Sequence, residues 1–345
     1  MTNKERILEH NDRIEALIDI IEQKQFGTIV LPTLTNPASP EDVKAGKECI
    51  DKDGNPMVGT YEPESSGGGD ITEFEDSIIA RTITSTYSNS RISVVGTYAF
   101  YGCSSLKGVD LPNCQKISAN AFYSCIALKT VNAPECSNIG QSAFFSCKAL
   151  TDVNIPKCKG ILNYAFQSCT ALTQISIPEV SALSAGAFNN CTALKSIDAP
   201  KCATLTSSAF AGCTALETAN FPIATGVGSS AFRSCTKLTN VNVNSAKTVG
   251  AQAFASCTAL TSIDLPMCSI IASSAFGSCK ALSAIYLRST TMATLSNVNA
   301  FSLTPMSNST YLGYFGSIYV PADLVDTYKA GTNWATYASR ITSIV

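Results

Sequence analysis

Residues 144–156 read Phe144-Phe-Ser-Cys147-Lys-Ala-Leu150-Thr-Asp-Val153-Asn-Ile155-Pro156, and the fold is decided by how often this stretch returns. A Phe stands 22 residues before Phe144, at Phe122, and 22 after it, at Phe166. The same step carries on through Phe188, Phe210, Phe232, Phe254 and Phe276, and back to Phe100. A fixed period of this length is the mark of a stacked repeat, in which no single copy can bury its apolar face alone.

Aligning the copies on the Phe gives one column per position. Ala precedes the Phe in every copy, from Ala99 to Ala275. Leu follows it by six, from Leu106 to Leu282, and Val or Ile follows by nine, except at Ala219. An apolar residue follows by eleven, and another by seventeen in a run from Ile117 to Ile271. Two apolar residues separated by one polar residue, as in Val153-Asn-Ile155, have the period of a strand. Each coil is therefore expected to add one short strand to a parallel sheet. Pro stands at twelve and stops the strand, since it has no N–H for the ladder; Asn244 and Arg288 take its place in two copies.

The pattern Ala-Phe-x-x-Cys-x-x-Leu-x-x-Val-x-Leu/Ile-Pro resembles the BspA-like class of leucine-rich repeat, over residues 95–287. The resemblance implies a repeat solenoid with one parallel β-strand per 22-residue coil, spanning 99–301 with Ala300-Phe301 as a last, displaced copy. It also implies a C-terminal cap over 302–345, rich in aromatic residues such as Tyr328, Trp334 and Tyr337. Residues 71–98 alternate apolar and polar and read as the N-terminal cap, which a solenoid needs to cover its terminal core.

Fifteen cysteines suggest a disulfide framework until they are placed on the period. Nine follow the Phe by three, from Cys103 to Cys279, and five follow it by fourteen, at Cys114, Cys136, Cys158, Cys202 and Cys268. The second column holds Val180, Ala224 and Ala246 where Cys is missing, so it reads as small apolar core and buried free thiol. No CxxC pair occurs, which speaks against zinc. Coils about 4.8 Å apart would bring stacked thiols within bridging reach, so a disulfide here and there stays open.

Upstream of the repeats the chain changes character. Residues 1–25 read as an amphipathic helix with Ile7, Ile14 and Ile21 seven apart and Leu17 and Ile18 beside them. A helix of this length is marginal alone; it either docks on its own domain or forms a homo-oligomeric coil, for which a trimer is the expected state. Residues 26–63 form a small α+β module, with a helix start at Ser39-Pro40 and a hairpin turn at Asp53-Gly54. Residues 64–70, with Ser65-Ser-Gly-Gly-Gly69, are a linker. The stretch Leu31 to Ser39, followed by Gly46 to Gly54 and Gly59-Thr60, resembles a module of bacteriophage tail and tail-fibre proteins. That resemblance implies a virion structural part that partners other tail proteins through its N-terminal end.

The bulk numbers exclude several function classes. A formal net charge of −2 with only 14% charged residues gives no basic face for nucleic acid. No stretch is apolar enough to span a bilayer, and the charged start Met1-Thr-Asn-Lys-Glu-Arg6 is not a secretory signal. Synthesis in a cytoplasm is expected, with work in a virion tail, or alternatively at a bacterial cell surface. The one histidine, His10, lies outside the repeats, so no Ser-His-Asp or Cys-His arrangement can form within them. Neither paired carboxylates nor a phosphate-cradling glycine loop is present, and no cofactor is expected.

What remains is the column ten residues after each Phe: Asp110, Asn132, Asn154, Ser176, Asp198, Asn220, Asn242, Asp264 and Tyr286. It points away from the core and is expected to line the concave face. Short polar side chains of this kind solvate a sheet and hydrogen-bond along it; they also make a binding strip for a glycan or protein on a host surface. Calcium fits poorly, because only three of the nine are acids and they stand far apart in the stack.

Overall fold

Stacking copies of Leu-x-x-Val-x-Ile pairs them in parallel, and the register steps by the repeat: Thr86 sits opposite Gly108, Gly108 opposite Thr130, and Thr130 opposite Asp152. A computed structural model describes residues 85–307 and 315–344. The helix expected over 1–25, with Ile7, Ile14, Leu17, Ile18 and Ile21, lies outside the described residues. So do the 26–63 module, the 64–70 linker and the start of the cap expected over 71–98. The last part of that cap already builds a coil, with strands Thr86–Ser88 and Val94–Val95 and with Ile92 and Val95 buried.

One expectation is corrected. The coils give two strands each, not one, except the coil begun at Phe166, where Ile175 lies in no strand and only Ala182–Leu183 pairs. The second is only two residues long, as in Lys116–Ile117 and Gly160–Ile161, and has no alternation that a sequence could show. Stacked in register, these pairs make a continuous ten-stranded parallel sheet from Val94–Val95 to Thr294–Leu295. The strands foreseen from Val-x-Ile make the other side of the coil. Together with Thr86–Ser88 and the cap strands Ser317–Val320 and Ile341–Ser343 they form a sheet split into runs of four, three and four strands.

The columns fill the space between. Phe100 through Phe301 are buried, and neighbouring rings stack 4.9 to 5.6 Å apart at interplanar angles of 2 to 12°. This spacing is close to that of paired strands, so the ring stack and the backbone ladder reinforce one another. Beside Ala219, the one small residue in its column, Phe221 is fully buried and leans on Phe210 and Phe232 at 5.6 and 6.1 Å.

All fourteen cysteines of the array are buried and unbridged. In the first column each thiol from Cys125 to Cys279 donates to the carbonyl of the Phe one coil back, as from Cys147 Sγ to Phe122 O at 3.1 Å. In the second column the thiol donates to the carbonyl two residues on, as from Cys136 Sγ to Asn138 O at 3.3 Å. Cysteine thus acts as a small apolar residue that satisfies a carbonyl at a tight corner.

The corner itself is made by left-handed residues. The positions two before and two after each Phe take φ between 52° and 76° in every copy from Tyr98 to Ser278. Ser, Asn and Gly hold most of these positions, and Asn and Gly adopt that conformation with the least strain. The alternation turns three N–H groups toward the next coil: Asn120 N to Gln141 O at 2.8 Å, Phe122 N to Ala143 O at 2.7 Å and Ser124 N to Phe145 O at 2.7 Å.

The C-terminal end is closed by the helix Val325–Ala330, the 3-10 helix Trp334–Arg340 and the strand Ile341–Ser343. Phe301 stacks on Phe276 and is covered by Tyr337 edge-on at 5.1 Å. Trp334 Nε1 donates to Ala293 O at 2.7 Å, and Ala293 N donates to the Tyr328 hydroxyl at 2.8 Å. The last Phe is thereby kept from water, as a terminal repeat requires.

Candidate functional site

A strand whose Val faces the core turns its two flanking residues outward. The column Asp110, Asn132, Asn154, Ser176, Asp198, Asn220, Asn242, Asp264 and Tyr286 accordingly lies on the open face of the split sheet, and none of its members is buried. The column two residues earlier shares that face. Thr130, Asp152, Gln174, Ser196, Thr218, Asn240 and Ser262 are all exposed there. Sequence reading overlooked them, although the same period of two places both columns on one side.

The ladder is hydrogen-bonded along the stack and has a direction. Asn132 Nδ2 donates to Asp110 Oδ1 at 2.6 Å, and Asn154 Nδ2 donates to Asn132 Oδ1 at 2.7 Å. The group repeats four coils later: Asn220 Nδ2 to Asp198 Oδ1 at 2.7 Å and Asn242 Nδ2 to Asn220 Oδ1 at 2.8 Å. An ionised Asp accepts only, so it can be nothing but the first member of such a run. Ser88 Oγ donates to the other oxygen of Asp110 at 3.0 Å.

Both runs end where the sheet opens. The N–H seven residues after the Phe normally reaches the carbonyl one coil back, as in Lys129 to Lys107 at 2.7 Å and Glu217 to Lys195 at 2.8 Å. Thr173 and Thr261 make no such bond. Val153 and Val241, on the N-terminal side of the two openings, are only partly buried, whereas Val109, Val131, Ile197 and Ile263 are buried. Across the first opening Ser176 is too short to continue the amide ladder and keeps a single bridge to Asp198. Across the second, Asp264 has no proton to offer Asn242 Oδ1.

The last rungs change chemistry. Arg288 Nε lies 3.0 and 2.9 Å from the two oxygens of Asp264, and its guanidinium stands 5.2 Å from the centre of the Tyr286 ring. Tyr286 in turn stacks on Tyr319 at 4.7 Å. Arg288 appears in the sequence only as the residue that replaces a repeat Pro, and Tyr319 belongs to the cap. On another corner, Tyr101, Tyr123 and Phe145 stack at 5.0 and 4.6 Å with Tyr98 edge-on at 5.6 Å. Tyr98 and Tyr101 are 49% and 37% exposed. This row follows the Phe by one, a position without a consensus, and gave no signal in the repeat.

The thiols offer no nucleophile. Burial, with the neighbouring thiols Cys114 and Cys158, pushes Cys136 up to about 12, and burial alone pushes Cys213 up to about 12. A reactive cysteine needs the opposite setting, electropositive and partly exposed. Among the described residues no group of three or more His, Cys, Asp or Glu is placed to hold a metal ion. None of the helices there is long and apolar enough to cross a membrane.

Residues 80–195 and 203–319 match the family model for the BspA type leucine rich repeat region. Among solved structures, a leucine-rich repeat protein from Bacteroides ovatus is 20% identical, with 83% of this chain and 98% of that one covered and a TM-score of 0.40. A leucine rich cell surface protein from Faecalibacterium prausnitzii is 21% identical over 74% of this chain and 82% of that one, with a TM-score of 0.40. A leucine rich repeat protein from T. pallidum is 22% identical over 49% and 72%, with a TM-score of 0.37. No curated protein sequence matches.

Proposed function

The chain belongs to the BspA-type leucine-rich-repeat family, and from that membership we propose a non-enzymatic binding protein whose split-sheet face recognises a glycan or protein on a cell surface. The Asp–Asn–Asn runs carry the reading. Each holds three polar side chains in fixed orientation on an unburied face and then recurs four coils on. Donors and acceptors fixed before binding lose less entropy when a partner arrives. The repeat array is a scaffold of the kind typical of non-catalytic binding proteins.

The test is an array of purified glycans and cell-surface proteins probed with the wild type and with a variant carrying Asn132→Ala, Asn154→Ala, Asn220→Ala and Asn242→Ala. These amide bonds, two exposed and two half-buried, contribute about 0.5 to 1.5 kcal/mol each, so the variant is expected to keep its circular dichroism. Loss of the retained ligand by more than about tenfold is the expected outcome. Equal retention by both proteins removes the ladder from the binding face.

A second reading rests on Leu31 to Tyr61, which resembles the bacteriophage tail module. It makes the chain a virion tail component, joined to other tail proteins and trimerised through Ile7, Ile14, Leu17, Ile18 and Ile21, with the repeats reaching the host surface. Sedimentation of the full chain should then give a trimer that becomes a monomer when residues 1–25 are deleted. A monomeric full chain at micromolar concentration counts against it.

A further inference from the structure

The last two coils abandon the short polar ladder at three places together: Tyr286 stands where the other copies carry Asp, Asn or Ser, Arg288 stands where most carry Pro, and Tyr319 continues the column from the cap. The sheet register places Asp264, Tyr286 and Tyr319 on consecutive rungs. We propose that Asp264, Tyr286, Arg288 and Tyr319 form a subsite for a neutral pyranose bearing vicinal hydroxyls. The proposal deepens the reading of the split-sheet face as a binding surface, and rests on it.

Four observations set the ligand class. First, Arg288 is fixed from two sides, by the Asp264 carboxylate through Nε and by the Tyr286 ring. Its terminal nitrogens meet no acceptor among the described residues, and a guanidinium held in this way keeps a planar pair of donors ready for a ligand. Second, the side chains of Arg288 and Asp264 are each 43% exposed, so both can be touched from solvent. Third, the two charges cancel. An acidic ligand would meet Asp264 and a basic one Arg288, so a neutral ligand escapes both repulsions. Fourth, Tyr286 is covered on its faces by Arg288 and Tyr319. Tyr286 therefore offers its edge and hydroxyl, not a platform, and neither the Tyr286 nor the Tyr319 hydroxyl has a hydrogen-bond partner among the described residues.

A carboxylate acceptor, a guanidinium donor pair and two phenols that both donate and accept suit a polyhydroxylated molecule. Adjacent sugar hydroxyls can donate to Asp264 while accepting from Arg288. The upstream runs lack this combination, because they carry amides where this end carries a guanidinium and two phenols.

The experiment is saturation-transfer NMR on the full chain with methyl β-galactopyranoside, methyl α-mannopyranoside and N-acetylneuraminic acid as separate probes. Transfer to at least one neutral pyranoside is expected. The transfer should weaken about tenfold in Arg288→Ala and in Tyr286→Ala. Arg288→Lys keeps charge and stem but lacks the planar fork, and gives the same readout should the alanine variant loosen the cap. Transfer to N-acetylneuraminic acid alone, transfer to none of the probes, or transfer unchanged by Arg288→Lys overturns the proposal. The four-Asn variant separates the two ideas. If Arg288 variants keep their ligand on the array while the four-Asn variant loses it, the face stands and the subsite falls. If every variant keeps it, the face itself falls.

Discussion

In reducing buffer the array is expected to lose its native circular dichroism between about pH 9 and pH 11, a range in which thiols with ordinary acidity ionise. Burial holds the cysteines of both columns in the neutral form: Cys136, Cys213 and Cys279 are pushed up to about 12, and Cys158 and Cys268 to about 11. Cys169, Cys191, Cys235 and Cys257 are likewise raised well above the ordinary thiol value, by burial first and by the adjacent thiols second. The sign follows from proton counting. Above the ordinary thiol value the unfolded chain releases these protons and the folded chain keeps them, so stability falls as pH rises. The stabilisation is whole below pH 9 and is lost as pH climbs toward the folded values. Each thiol contributes about 1.4 kcal/mol per pH unit, and the columns together on the order of 10 kcal/mol per unit. That is comparable with the whole stability of a typical domain, about 5 to 15 kcal/mol. Tyr328 and Tyr337, raised by burial, act in the same direction. A titration followed by far-ultraviolet circular dichroism and by Trp334 fluorescence checks this. A native signal that persists beyond about pH 11.5 means that the thiols ionise without opening the stack.

The parts of the fold that the sequence displayed were those repeated by identity. The Phe, Cys and Leu columns could be read residue by residue because one rung leaves no freedom to the next: a ring above a ring, a thiol below a carbonyl. The aromatic residues Trp334 and Tyr337 were named only through the family resemblance, because no column of the repeat contains them. The ten-stranded sheet was hidden because a pair such as Lys116–Ile117 has no period; its strand character comes from the coil beside it. The left-handed corners were hidden too, because Ser holds most of them where Gly would have announced the turn.

The open face was legible in composition and not in grouping. Nine outward residues could be named, yet the division into Asp–Asn–Asn runs depends on which way the amides point. Once the direction is known, the sequence explains it. Asp110 and Asp198 accept and begin a run; Asp264, with no donor for Asn242, cannot continue one. Arg288 was visible only as a missing Pro, since its meaning lies 24 residues back at Asp264. The cysteine bridges left open by coil spacing do not form; the first-column thiols from Cys125 on and those of the second column turn to backbone carbonyls instead.

Phe188→Ala is expected to lower stability by about 3 to 5 kcal/mol, the range for removing a buried aromatic ring. Phe188 is fully buried and sits between Phe166 at 5.2 Å and Phe210 at 5.4 Å, nearly parallel to both. The substitution removes both ring contacts and leaves a void in a column that cannot collapse. The backbone on either side is pinned by Phe166 N to Ala187 O and by Phe188 N to Ala209 O, each 2.8 Å. In a solenoid each coil touches only its neighbours, so a break in the middle uncouples the two halves. Phe100→Ala, next to the first described coil and packed under Tyr87, should therefore cost less than the same change at Phe188. Thermal melts decide it. At about 2 to 4 °C per kcal/mol for a domain of this size, Phe188→Ala should fall by roughly 10 °C, with Phe188→Leu falling less because most of the volume stays. Equal shifts for Phe100→Ala and Phe188→Ala would mean that the array melts as one unit and not coil by coil.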